Sequence, residues 1–111
     1  MMDFLKRWWK RFRRRSTVGR VVIIDSMTSV PAKLGSDVYF VRQGNFDKRV
    51  VFICPCGCGR RIDLNLVRTQ HPSWSAHLRN GQISISPSVW LTADPCQSHF
   101  FIKNNKVEWA E

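Results

Sequence analysis

Val50-Val51-Phe52-Ile53 runs directly into Cys54-Pro55-Cys56-Gly57-Cys58-Gly59, and the chain leaves that loop through Arg61-Ile62-Asp63-Leu64-Asn65-Leu66. An apolar β-branched run, a thiol-rich turn and a cleanly alternating run describe a strand, a ligand-bearing loop and a returning strand. In the second run Ile62, Leu64 and Leu66 point one way, and Arg61, Asp63 and Asn65 the other. The glycines and the proline between the thiols let the backbone bend tightly enough for closely spaced side chains to converge.

The loop is answered much later by Cys96-Gln97-Ser98-His99, and all four cysteines of the chain lie in these two stretches. Zinc takes thiolate sulfur readily and imidazole nitrogen next, and a structural site needs four such ligands. The pattern is C-x-C-x-C and then C-x-x-H, which departs from the paired C-x-x-C of common zinc ribbons. Disulfides, buried free thiols and an iron–sulfur cluster compete with zinc. No secretory segment favours the first, the Gly-Pro setting opposes the second, and an iron–sulfur cluster gives His99 no role. The expected ligands of one structural zinc are Cys54, Cys56, Cys58 and Cys96. His99 is the substitute, because ligands at i, i+2 and i+4 strain a tetrahedral site.

Outward from this centre the pattern stays β. Residues 20–25 hold Val21, Val22, Ile23 and Ile24 and read as a buried strand. Residues 26–36 contain Pro31 and Gly35 and read as a loop. Residues 37–42 and 49–53 read as a hairpin around Gln43-Gly44-Asn45-Phe46-Asp47. Residues 74–79 and 82–86 are joined by Asn80-Gly81, a strong hairpin signal because both residues tolerate positive φ. Residues 98–103 and 106–109 are joined by Asn104-Asn105, a weaker form of it. Pro72, Pro87 and Pro95 punctuate the loops between. The expected fold is all-β: a small zinc-stapled domain of seven or eight short antiparallel strands, behind an N-terminal amphipathic helix.

A chain of 111 residues is one domain with an appendage. A core this small gains from a metal, whose binding can contribute folding free energy directly. The net charge of +10 is concentrated at the start. Residues 1–20 carry eight Lys or Arg against Asp3 alone. Phe4, Leu5, Trp8, Trp9 and Phe12 recur at helical spacing over residues 3–15, on one face of about 140°, with Lys and Arg elsewhere. The division expected is a basic helix and linker over 1–19 and a β domain over 20–111. For the arm, docking into a protein partner's groove ranks first, an anionic membrane surface second and nucleic acid third. No apolar run approaches the ~20 residues of a membrane span, and arginines interrupt the stretch a signal peptide would need. The expected location is the cytoplasm, where thiols stay reduced.

The CPCGCG loop, the Ile85-Ser86-Pro87-Ser88-Val89 segment and the C-x-SHFFI strand together resemble a small bacterial family of unknown-function domains, over residues 51–109. That family is encoded beside ubiquitin-like proteins and relatives of their activating and conjugating enzymes, in antiphage operons, and has been proposed as the peptidase of such pathways. The resemblance implies a peptidase that matures or deconjugates a ubiquitin-like protein, with those enzymes as partners. Serine-peptidase chemistry needs a hydroxyl, a base within reach and an orienting group. Ser86 and Ser88 flank Pro87 just after a strand, and Ser98 and His99 open another. If four cysteines complete the metal shell, His99 is free to act as the base. Ser98 is its poorer partner, since neighbours on a strand point to opposite faces. Ser88 is the better nucleophile, with Asp94 or Asp63 to orient the imidazole. The competing assignment makes the serines turn residues and His99 structural, His71 and His77 having no evident role. There is no G-x-S-x-G elbow and no H-E-x-x-H motif. The alternative function is a non-catalytic zinc module that binds the conjugation machinery or nucleic acid.

Overall fold

Among the described residues eight strands form two four-stranded sheets. The computed structural model describes residues 14–93 and 95–110. The first sheet runs in the order β1 (Val21–Ile24), β2 (Val38–Gln43), β3 (Phe46–Ile53), β4 (Arg61–Asn65). The second runs β5 (Ser75–Arg79), β6 (Gln82–Trp90), β7 (His99–Lys103), β8 (Lys106–Trp109). Among the described residues the only helical piece is a 3-10 turn at Met27–Ser29, capped by Ser26. The amphipathic helix expected over residues 3–15 lies outside the described residues, apart from Arg14 and Arg15, which are not helical.

The sheets face each other across one apolar layer. Val38, Phe40, Val50, Phe52, Ile62 and Leu64 from the first share a cluster with Ile83, Ile85, Val89, Phe100, Ile102 and Val107 from the second. Phe52 and Phe100 meet edge to face, with centroids 6.3 Å apart. This is sandwich packing, in which alternate residues of each strand enter the core. Burying each such side chain contributes about 1.5–3 kcal/mol. The alternation read in residues 61–66 holds: Ile62, Leu64 and Leu66 are buried, while Arg61 and Asp63 are exposed.

Both asparagine turns form as the sequence predicts. Asn80 and Gly81 take φ of 53° and 75°, and Asn104 and Asn105 take 49° and 64°. Positive φ at both central residues is the hairpin turn whose twist matches the strands. Asn105 does more than turn: its Oδ1 accepts from the Ile83 amide at 2.7 Å, and its Nδ2 donates to the Gly19 carbonyl at 3.1 Å.

Four expectations need correction. The strands are not all antiparallel, because β1 pairs with β2 in parallel. Residues 25–37 are long enough to carry the chain back across the sheet before β2 begins. As an edge strand, β1 is only half-buried, and Ile23 is 56% exposed. The β2–β3 hairpin turns on two residues, Gly44 and Asn45, so β3 starts at Phe46 rather than Arg49. Pro87 does not end its strand either: β6 continues to Trp90. Ile85 pairs with Ile102, but Val89 pairs with Phe100, so three residues of β6 stand opposite Phe101 alone. A bulge of this kind accommodates a residue without an N–H, and β5 on the other side has already ended in register with Ser86. The Ser86-Pro87 bond is cis, as is His71-Pro72.

The segment read as a linker is bonded to the second sheet. Thr17 bridges Lys106, the Val107 amide donates to Ser16, and the Val18 amide donates to Asn105. The Trp109 indole donates to the Arg15 carbonyl at 3.3 Å, and the Arg14 guanidinium lies 4.4 Å from the Trp109 ring centre. Gly19 passes so close to Ser36 that a Cβ would meet its carbonyl oxygen at 2.3 Å.

Candidate active site and metal centre

The cysteine loop grows from regular pairing. β3 and β4 stay in register up to Ile53 opposite Arg61, and the Cys54 amide then donates to the Arg60 carbonyl at 2.8 Å. Inside this closed loop, Gly57 and Gly59 take φ of 89° and 83°, conformations open to glycine at no steric cost. They relieve the strain expected of ligands spaced at i, i+2 and i+4. The fourth sulfur arrives from the second sheet on the Cys96–His99 turn, where Gln97 takes a φ of 47°.

The Sγ atoms of Cys54, Cys56, Cys58 and Cys96 all lie within 4.8 Å of one another. No disulfide links them. Sulfurs bound tetrahedrally at ~2.3 Å from zinc stand about 3.8 Å apart, so this set is within reach of a metal shell. Cys54, Cys56 and Cys96 are buried, and Cys58 is exposed. The buried Ser98 hydroxyl donates to Cys96 Sγ at 3.4 Å, the kind of outer contact that orients a metal ligand.

The thiols do not ionise alike. Burial holds the Cys54 thiol well above the ordinary range, against hydrogen bonds from the Cys56 backbone and Ser98 that lower it. Burial also raises Cys58, more weakly. At Cys56 burial acts the same way, but hydrogen bonding from Ser98, Cys58 and Cys54 outweighs it and brings the thiol down to about 7. The donor set is all sulfur, which suits a soft or borderline ion such as zinc.

His99 is not part of this cluster. Its Nε2 stands 2.8 Å from Ser88 Oγ. Alternation along the strand explains the division: Ser98 faces the sulfurs, and His99 faces the opposite way. The β6 bulge carries Ser88 out of the ladder toward the imidazole. Ser88 is held from behind as well, since the Trp74 indole donates to its carbonyl at 3.3 Å. Trp74 is positioned in turn by its amide, which donates to the Asn65 carbonyl at 2.8 Å.

With the proton on Nδ1, Nε2 accepts from the Ser88 hydroxyl. This is the contact a nucleophile and its general base must make. Of the two proposed orienting groups, Asp63 is engaged by Arg49 at 2.9 Å on the first sheet, and Asp94 lies outside the described residues. Ser86 is exposed in register with Ser75, while His71 and His77 are exposed and away from the pair.

Three residues near the site carried no clear sequence signal. Ser98 reads in the sequence only as a poor nucleophile, and its contact with Cys96 Sγ appears only in the structure. Trp74 reads in the sequence merely as a strand residue, and Trp90 falls beyond the strand expected over 82–86. Trp90 stacks on the His99 imidazole, with centroids 4.7 Å apart and planes 10° from parallel. Nothing in the spacing singles it out.

A family model described as bacterial ubiquitination-like system serine protease (BubE) matches residues 26–110, a span containing all four cysteines, Ser88 and His99. Neither the curated proteins nor the solved structures contain a match to this chain. The match covers most of the sequence, and the chain belongs to the BubE family.

Proposed function

We propose that this protein is a serine-type peptidase that matures or deconjugates the ubiquitin-like protein of its bacterial pathway, with Ser88 as nucleophile and His99 as general base. The observation that carries the reading is the 2.8 Å contact between Ser88 Oγ and His99 Nε2. Its setting supports it: the hydroxyl sits on a bulge where it is half-buried rather than lost in the ladder. In the reaction Ser88 Oγ bonds to the scissile carbonyl carbon while its proton passes to His99 Nε2. That proton then goes to the leaving amine as the carbon–nitrogen bond breaks, and water hydrolyses the acyl-enzyme by the same route.

Cys54, Cys56, Cys58 and Cys96 hold a structural zinc in this reading. The metal fixes the turn that begins at Cys96 and so places His99 at the head of β7; it takes no part in the bond-making steps. The activating and conjugating enzymes of the pathway are the natural partners. The basic aromatic arm over residues 1–19 docks one of them, and the protein works in the cytoplasm.

A fluorophosphonate probe, which forms a phosphorus–oxygen bond with an activated serine and expels fluoride, tests the reading directly. Ser88→Ala and His99→Ala should each abolish labelling and lower cleavage by more than about 10³-fold, with metal content and folding unchanged. Loss of metal in His99→Ala would reassign that residue to the metal. Undiminished labelling of Ser88→Ala would sink the mechanism and leave the non-catalytic zinc module as the better description.

A further inference from the structure

We propose that Trp90 is a positioning residue for His99: its indole face fixes the imidazole with Nε2 on Ser88 and stabilises the imidazolium that forms when Ser88 gives up its proton. The inference rests on the peptidase reading above, but the contact it uses is a separate one.

The ladder explains why the rings meet. The Leu91 amide donates to the Ser98 carbonyl toward β6, whereas the His99 carbonyl accepts from the Ala110 amide on the β8 side. Trp90 and His99 are in register, so they form the non-hydrogen-bonded kind of antiparallel pair, whose side chains approach most closely. The resulting stack is near parallel, at 4.7 Å and 10°. Phe101, two residues along the same face, lies 6.0 Å from the imidazole at 31°. The imidazole therefore packs against two aromatic groups, and its rotation away from Ser88 is opposed.

Core packing does not account for Trp90, which is 60% exposed. Its contact with His99 gives this large exposed side chain a task. An indole face attracts a cation more strongly than any other aromatic side chain. Proton transfer from Ser88 creates such a cation against that face. No described charged group takes over this role. On this exposed face β7 and β8 bring Lys103 and Glu108, paired with each other at 3.4 Å, and Lys106 opposite Lys103, while β5 brings His77 and Arg79 opposite Ser84 and Gln82. The described part of β6 brings none, and Asp63 is paired with Arg49. Among the described residues Nδ1 of His99 has no hydrogen-bond partner.

Full-length wild type, Trp90→Leu and Trp90→Phe would be compared by fluorophosphonate labelling rate and by NMR titration of the histidine rings, with His99→Gln assigning the His99 signal. Trp90→Leu should slow labelling by about tenfold, the rate equivalent of one cation–π contact. It should also move the His99 titration midpoint to lower pH. Trp90→Phe should restore most of both, because a ring face returns. Labelling at the wild-type rate in Trp90→Leu, or a His99 midpoint that does not move, overturns the proposal. Failure of the wild type to label at Ser88 would instead defeat the peptidase reading, and the titration would still decide whether the stack stabilises the cation.

Discussion

The first sheet reaches its functional loop without a break, whereas the second reaches its own by breaking step. β3 and β4 pair residue for residue up to the cysteine loop. β6 and β7 lose register opposite Phe101, and that irregularity puts Ser88 against His99. A metal shell needs several donors held still, and regular pairing does this well. A nucleophile needs its hydroxyl free of the ladder and its base within reach, and a bulge supplies both. The two arrangements meet in the stretch 96–99: Cys96 belongs to the sulfur cluster, Ser98 bonds to it, and His99 faces Ser88.

The comparison breaks most severely if the metal is removed. Purified protein should contain about one zinc per chain. Stripping it with a strong chelator, or replacing Cys54 with Ser, should lower the melting temperature by more than about 10 °C, since binding energy of this kind is folding energy. Calorimetry with metal analysis measures both. A metal-free protein that is fully folded would show that the sulfurs are passengers.

Asn65 tests whether the regular sheet supports the irregular one. Its Nδ2 is shared among the carbonyls of Val67, Gln70 and Pro72, each at 3.1 Å, and its Oδ1 accepts from the Val67 amide at 3.0 Å. This one side chain organises the loop that delivers Trp74 to Ser88. Asn65→Ala should cost about 1–3 kcal/mol, seen in denaturant unfolding, and should slow probe labelling as well. A stability loss with full labelling would mean that Trp74 is placed by other contacts.

Ser98→Ala addresses the junction. Losing the hydroxyl on Cys96 Sγ should weaken metal affinity by about 10- to 100-fold, measured by competition with a chromogenic chelator. Labelling should survive while the site remains metal-loaded. The smallest structural effect belongs to the arm. Trp8 and Trp9 together replaced by Ser should leave the melting temperature within about 1 °C while abolishing association with a conjugation enzyme in a pull-down. Unfolding of the domain instead would place those tryptophans in its core.

The regular half of the molecule was readable because its signals are local. Alternation marks β4, and the shared chemistry of four cysteines identifies the cluster without showing how their backbones turn; in the second sheet Asn80-Gly81 marks the β5–β6 hairpin by the same kind of local signal. The second half hid its key feature. Pro87 normally ends a strand, and only the partner strand's register shows that β6 runs on to Trp90. Ser88 and His99 could be paired on chemical grounds, yet their distance depends on that register. The stack of Trp90 on His99 is a cross-strand event, invisible to any window along the chain. β1 misled for a related reason: four β-branched residues suit a buried strand, but its place at the sheet's edge leaves Ile23 outside.

The short run around Thr17 acts as a guard as well as a tether. β8 is the last strand of its sheet, and an uncovered last strand offers its backbone to any other extended chain. By donating from Val18 and accepting from Val107, residues 16–18 occupy part of that margin. A protein shortened to begin at Arg20 would lose the covering and keep the fold's strongly β-forming surface. Its first failing would be self-association and poor solubility, well before any defect in the sulfur cluster or the serine became apparent.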